Sequence, residues 1–300
     1  MNILVCIDGT KKSENVVRYT GKIAKILNAQ VTVLYVSKKH HSLFEGSIRY
    51  LRTQSHDWGI MRPGAVHLKN AYNILKEVGV RQESSPESIE ILNETGEGAY
   101  DLVTASCILR GINLRLRDGK VAEEILKETE TGKYDYDLVV LGAPEFKGIG
   151  KAIFSSVSHG VAEKAKIPVV IAPKIIYEPM RILICSDGSD AITLAVERIK
   201  DKLGMLKPDS VTVLSVAPDE KEMDEYVRVA EQTADILKGS GLDVKTKVRS
   251  GKIAQEILSE AKDYSLVLVC SHRLSHEKIL LGSVSSYIIT HSEVPTLIMR

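Results

Sequence analysis

No stretch of the 300 residues approaches the ~18 consecutive apolar residues that a bilayer-spanning helix needs. Neither sign of charge is in excess: 40 Lys and Arg against 39 Asp and Glu leave a formal net charge of +1. That balance argues against a broad electrostatic footprint for nucleic acid or an anionic membrane. The N-terminus lacks the basic segment and apolar core of a secretory leader and enters a strand pattern at once. Cysteine is scarce, with 4 residues and no Cys-x-x-Cys spacing, which disfavours zinc and dithiol chemistry. The expectation is a soluble, reduced, cytoplasmic protein with no nucleic-acid and no membrane partner.

Several signatures of chemistry are missing as well. No Gly-x-Gly-x-x-Gly follows the first strand pattern, and no Gly-Lys-Ser/Thr marks a Walker A loop. His272 and His276 are four apart, but no carboxylate or cysteine pair completes a ligand set, so no metal site is assigned. His40-His41, beside Lys38-Lys39, reads as a solvated loop tip. Ser155, Ser156, Ser158, Ser283, Ser285 and Ser286 are too generic to nominate a nucleophile, and no catalytic residue is assigned.

What the chain does contain is repetition. Asn2–Thr10 (NILVCIDGT) returns as Arg181–Ser189 (RILICSDGS), and Val31–Val36 (VTVLYV) as Val211–Val216 (VTVLSV). Arg117–Glu128 (RDGKVAEEILKE) returns as Arg249–Glu260 (RSGKIAQEILSE). Phe154–Ser158 pairs with Leu281–Ser285, and Ile167–Pro173 with Val294–Arg300. Blocks recurring in one order mark a tandem duplication, so any site is expected twice. Cys6 and Cys185 fall in matching apolar runs, where a free thiol behaves as a small buried hydrophobe.

Short Val/Ile/Leu runs at Ile3–Ile7, Val31–Val36, Ile112–Leu116, Leu138–Leu141 and Val169–Ile171 predict strands of a parallel sheet covered on both faces. Between them, Val16, Val17, Ile23, Ala24 and Leu27 fall on one helical face. A second helix begins near Gly119, with glutamates in its first turns as the helix dipole prefers. Alternating β and α units predict an open doubly wound α/β sheet in each half. The first half carries an insertion that includes Ile89–Val103. The gap at Cys107–Gly111 is too short for a parallel crossover. An antiparallel hairpin or a helix through Leu102, Ala105, Ile108 and Leu109 both satisfy it, and the helix is favoured because it aligns with Thr233–Lys238.

Ligands of open α/β sheets sit at the carboxyl ends of strands, near the switch in strand order. There each half has Asp-Gly-Thr/Ser, at Asp8-Gly9-Thr10 and Asp187-Gly188-Ser189. The carboxylate could accept a ribose hydroxyl or an exocyclic amine, although Asp-Gly is also ordinary turn chemistry. After the fourth strand, each half has a polar or Gly-rich loop and a small Gly/Ser element opening a helix. That is a ready anion site, and Ser156 and Ser283 as plain helix caps are the alternative.

These residues resemble a tandem universal stress protein over both halves, apart from the insertion. The resemblance implies five-stranded, mainly parallel sheets and an adenine-nucleotide site for ATP or AMP, with Mg bound only alongside the nucleotide. The family site uses the first-strand Asp, backbone near the end of the second strand, and the loop after the fourth. In the second half these positions are Asp187, Gly188, Ser189, Val216, Gly282, Ser283, Val284 and Ser285. In the first half they are Asp8, Gly9, Thr10, Val36, Gly142, Ser155 and Ser156.

The family loop pattern is broken differently in each copy. The first half has Glu145 and Ser155 where the pattern has glycine, and a carboxylate beside a triphosphate costs electrostatic energy. Lys147 and Lys151 are near enough in sequence to offset it in part. The second half keeps Gly282-Ser283 but has Cys270 for the first glycine and a loop one residue shorter, with Arg273 and Lys278 as candidate phosphate contacts. The site is read as degenerate, with the second half the better candidate.

The sequence therefore predicts two repeated universal-stress-like domains, 1–175 with an insertion around 38–100, and 176–300. The resemblance implies an intramolecular pseudo-dimer pairing through Pro168–Ala172 and Pro295–Met299, and is compatible with a further homodimer. It implies a stress-response sensing or regulatory role with an unidentified protein partner, and at most slow ATP hydrolysis. The alternative is an interaction scaffold that binds no nucleotide.

Overall fold

The structure is a computed structural model. It describes residues 1–37, 64–80, 89–94, 99–104, 111–132, 134–143, 156–173, 175, 178–271, 273–275, 278–279 and 281–300. The chain divides into two compact units, Met1–Val140 and Leu141–Arg300.

In the first unit, β1 (Asn2–Ile7) leads into α1 (Lys11–Leu27), β2 (Gln30–Ser37) and α2 (Ala65–Val78). A hairpin of β3 (Ile89–Glu94) and β4 (Ala99–Thr104) precedes β5 (Ile112–Asp118), α3 (Val121–Thr131) and β6 (Leu138–Gly142). The strand order is β6-β1-β2-β5-β4-β3. The pairs β1–β2 and β2–β5 are parallel, whereas β5–β4 and β4–β3 are antiparallel. The apolar strands predicted from sequence form as strands. Ile3, Leu4, Val31, Val33, Leu116 and Val139 are fully buried, as a doubly covered sheet requires.

The helix favoured through Leu102 does not form over Ala99–Thr104, which is β4, antiparallel to β5 with Leu102 opposite Leu114. The five-residue gap that forbids a parallel crossover leaves the antiparallel return, and that alternative wins. The true counterpart of the second-half helix is α2, where Asn73-Ile74-Leu75-Lys76 matches Asp235-Ile236-Leu237-Lys238. Trp58, Phe44 and Lys38–His41 lie outside the described residues.

In the second unit, α4 (Ser156–Lys164) and β7 (Val169–Ala172) precede the second repeat. That repeat comprises β8 (Arg181–Cys185), α5 (Asp190–Leu206), β9 (Ser210–Ala217), α6 (Met223–Lys238), β10 (Val244–Ser250), α7 (Ile253–Ala261) and β11 (Leu266–Cys270). A small hairpin, β12 (Arg273–Ser275) and β13 (Lys278–Ile279), then leads to α8 (Ser283–His291) and β14 (Thr296–Met299). The strand order is β10-β9-β8-β11-β14-β7, parallel through β14. The last strands of the two repeats, β7 and β14, pair antiparallel with Leu297 opposite Val170.

Charge enters both sheets at the same place. On β5, Arg115 Nε donates to Glu128 Oε1 at 3.1 Å and Arg117 Nε to Glu128 Oε2 at 2.6 Å. Arg117 also reaches Glu124 at 3.0 Å, and Tyr136 donates to Glu128 at 2.9 Å. The Arg115 and Glu128 side chains are 2% and 0% exposed. On β10, Lys247 and Arg249 meet Glu260 at 2.6 and 2.7 Å, with Tyr264 at 3.4 Å.

Candidate functional site

In each half the order of strands reverses beside the first strand: β2 and β9 lie to one side, β6 and β11 to the other. The crevice beyond their carboxyl ends is where an open α/β sheet accommodates a ligand. The sequence places an Asp-Gly turn there twice. Asp8 Oδ1 accepts from the Thr10 amide at 2.9 Å and the Thr10 hydroxyl at 2.7 Å. Asp187 Oδ1 accepts the equivalent pair from Ser189, at 3.1 and 2.7 Å. Gly9 and Gly188 adopt φ of 81° and 73°, which a side chain resists.

The two turns cap their helices differently. Thr10 also accepts the Ser13 amide at 3.3 Å, closing the start of α1, whereas Ser189 makes no side-chain cap on α5. Partial burial pushes the Asp8 carboxyl up. Its hydrogen bonds from Thr10 and Ser13 outweigh this and hold it below its ordinary value.

The space above the turns also differs. In the first half, a Cβ on Gly9 would stand 2.6 Å from the His67 ring of α2. His67 in turn stacks on Tyr35 of β2, with ring centroids 5.3 Å apart. The small recess there is lined by Ile7, Gly9, Ser13, Glu14, Val17, His67, Asn70 and Ala71. In the second half the positions of Ile7, Tyr35, His67 and Ala71 are taken by Ser186, Ser215, Val229 and Thr233. Ser186 and Thr233 hydroxyls bond at 2.7 Å, and Ser215 donates to Ser186 O at 2.9 Å. The Tyr35 ring is thus replaced by the hydrogen-bonded Ser215 and the His67 ring by the smaller Val229. Val229 approaches Gly188, its Cγ2 2.9 Å from where a Cβ would lie.

Ser186 N–H donates to Leu214 O at 2.9 Å, the last rung of the first strand on β9. With a two-residue period, the next β9 peptide groups turned that way belong to Val216, a buried residue. Val36 holds the matching place on β2.

After the fourth strand, Gly282 is the N-cap of α8, with φ −59° and no side-chain cap bond. Ser283 is therefore the first helical residue and not the cap that the sequence suggested as an alternative. Ser286 N–H to Gly282 O, at 2.8 Å, is the first helical rung, so the amides of Ser283, Val284 and Ser285 precede the ladder. A Cβ on Gly282 would meet nothing within 4 Å, so neither φ nor packing calls for glycine there. The Ser285 hydroxyl is engaged with Cys270 O at 2.9 Å, and Ser158 makes the same bond to Gly142 O at 3.0 Å. Both serines tether a helix start to the end of the fourth strand.

Cys270, standing where the loop pattern has glycine, is pushed up to about 12 by burial and by the Asp187 carboxylate. Burial, Glu222, Glu225 and Asp187 raise the Tyr226 phenol. Cys270 Sγ lies 3.8 Å from Ala191 O, which places the end of β11 beside the start of α5 that follows the Asp187 turn. Ser156 opens α4. Ser155, Glu145, Lys147, Lys151, His272 and His276 lie outside the described residues. Among the described residues no group of three His, Cys, Asp or Glu could hold a metal ion. No helix there is long and apolar enough to cross a membrane.

Sequence reasoning missed the Tyr35–His67 pair and the Ser186–Ser215–Thr233 cluster. Matching the copies position by position shows Tyr35 exchanged for Ser215 and His67 for Val229, but not that these side chains meet.

A universal stress protein from Archaeoglobus fulgidus DSM 4304 is similar over 100% of this chain and 98% of its own, with 19% identity and a TM-score of 0.69. A protein of unknown function from Pseudomonas aeruginosa PAO1 is similar over 99% of this chain and 92% of its own, with 13% identity and a TM-score of 0.64. Likeness at these identities concerns the fold. None of the curated proteins matches the chain. The model of the universal stress protein family matches residues 1–173 and again 179–300. The chain belongs to the universal stress protein family, with two copies of its domain in tandem.

Proposed function

We propose that this tandem protein is a stress-response regulator that binds one adenine nucleotide, ATP or AMP, in its second half. The observation that carries the reading is the asymmetry above the two Asp-Gly turns. The His67 ring, stacked on Tyr35, stands over Gly9, whereas the smaller Val229 stands over Gly188 beside the hydroxyls of Ser186, Ser215 and Thr233. Asp187 would accept from the sugar hydroxyls, Val216 backbone would read the base edge, and the first amides of α8 after Gly282 would meet phosphate. An unconstrained glycine at Gly282 suits close approach of a ligand to the backbone. Mg would enter only with the nucleotide. Binding would order the loop after β11 and so shift the population of a surface read by another protein.

Calorimetric titration of nucleotide-stripped protein with ATP and AMP, with and without Mg, tests this. One site per chain is expected, lost with Asp187→Ala and retained with Asp8→Ala. Equal losses from the two variants would sink the assignment to the second half. No binding at millimolar ligand would leave the scaffold reading in its place.

A further inference from the structure

The third strand of the second repeat has an open edge that its counterpart keeps covered. In the first unit, β5 lies between β2 and the antiparallel β4. Among the described residues, β10 pairs with β9 alone. The ladder fixes which groups face outward. Asp243 O accepts from Val211 N–H at 3.3 Å, and Gly251 N–H donates to Ala217 O at 3.0 Å. Odd-numbered residues thus turn their peptide groups to β9, and Thr246 and Val248 turn theirs to the free edge. The matching residues of β5 are Leu114 and Leu116, which stand opposite Leu102 and Tyr100 of β4.

The edge is basic. Lys245, Lys247 and Arg249 alternate and so share one face of the strand. Glu260 engages Lys247 and Arg249, yet their side chains remain 41% and 39% exposed, and Lys245 is exposed. Lysines on an edge oppose pairing with a like-charged strand, including the same edge of a second copy. They do not oppose an acidic strand.

We propose that the β10 edge receives an extended acidic segment of a partner protein, added antiparallel as β4 is added to β5. Main-chain bonds to Thr246 and Val248 hold it, and Asp or Glu at alternate positions faces Lys245, Lys247 and Arg249. In the first half the register sets one acidic residue of the added strand, Asp101, opposite Arg115, the counterpart of Lys247, and Ala99 opposite Arg117.

The test uses the full chain and two short synthetic peptides, one alternating Glu with Val and Thr, the other alternating Lys with the same residues. Binding is followed through the β10 amide resonances. The acidic peptide should bind and the basic one should not, with affinity falling as salt rises. Thr246→Pro removes an outward N–H without touching the β9 ladder and should weaken binding by about tenfold. Lys245→Glu, at an exposed position, should weaken it by about threefold to tenfold and keeps the test valid if the proline variant fails to fold. No binding of the acidic peptide at millimolar concentration, or equal binding of both peptides, overturns the proposal. So does self-association of the chain that Thr246→Pro abolishes, because it would make a second copy the occupant.

Discussion

Glu128 and Glu260 hold the same position in the two repeats, each gathering two basic residues of the third strand and one tyrosine. Glu128 and its arginines are buried; the basic partners of Glu260 are more than a third exposed. Helix α3 covers the first network much as α7 covers the second, so the flanking helix does not account for the contrast. The neighbouring strand does: β4 pairs with β5, whereas β10 is the outermost described strand of its sheet. Residue choice follows that burial. Where the network is covered, both cations are arginine, whose planar fork can satisfy carboxylates without water. Where it is open, Lys247 takes the place of Arg115. An insertion added at a sheet edge thus altered the electrostatic setting of residues common to both repeats.

The comparison breaks most sharply at the glutamates. Glu128→Ala leaves two buried guanidinium groups without their shared acceptor and should cost about 3–5 kcal/mol. Glu260→Ala should cost roughly 1 kcal/mol, because its partners remain hydrated and screened. Hydrogen exchange followed separately in β5 and β10 would measure each, since two compact units need not unfold together. Equal losses of protection would show that the hairpin does not set the difference.

The next contrast lies over the Asp-Gly turns. Gly9→Ala meets both a left-handed backbone and the His67 ring, at 2.6 Å from the new Cβ. It should cost about 1–2 kcal/mol for the backbone alone, plus the displacement of the ring. Gly9→Ala combined with His67→Ala should recover only the steric part, leaving the backbone strain. Gly188→Ala shares that strain but needs only a small shift of Val229. If His67→Ala gives no recovery in a thermal melt, the ring does not sit on the turn in solution.

Acid distinguishes the carboxylates by their surroundings. Burial pushes Glu260 up, but Lys247 and Arg249 outweigh it and hold it below its ordinary value; Asp8 is lowered by Thr10 and Ser13. A depressed folded pKa means that stability is fully present above the unfolded value and lost as pH falls through the folded one. Glu260→Gln and Asp8→Asn should each flatten the acid limb of a stability–pH curve below the ordinary carboxylate range, with little change in its slope near neutrality. An unchanged acid limb in both variants would remove these groups from the acid response.

The fold was legible because its signals are cooperative along the chain: continuous apolar runs, helical stripes and ordered repetition all point to one parallel sheet per half. The hairpin was harder to read, because Ala99–Thr104 carries a pattern short enough for helix or strand and only the neighbouring β5 decides. The Arg115–Glu128 network was hidden for a related reason. Charged residues at alternate strand positions look like a solvated face until an added strand and a helix enclose them. At the site, Asp8, Asp187, Gly282 and Ser283 could be located by motif. The aromatic pair over Gly9 could not, since Tyr35 and His67 meet only through packing of α2 on the sheet.

The smallest contrast is at the helix entries, where Thr10 and Ser189 differ by one bond. Both hydroxyls donate to the preceding aspartate at 2.7 Å, but only Thr10 also receives an amide, that of Ser13. Thr10→Ala removes a helix cap and should cost about 1 kcal/mol. Ser189→Ala removes a surface hydrogen bond that water can replace, a change of about 0.5 kcal/mol or less. The ranking should invert for ligand binding. Ser189 orients Asp187, so Ser189→Ala should weaken adenine-nucleotide affinity by a few fold, about the value of one hydrogen bond, while Thr10→Ala leaves it unchanged. Paired melts and titrations of the two variants would separate the structural use of this turn from its use in binding.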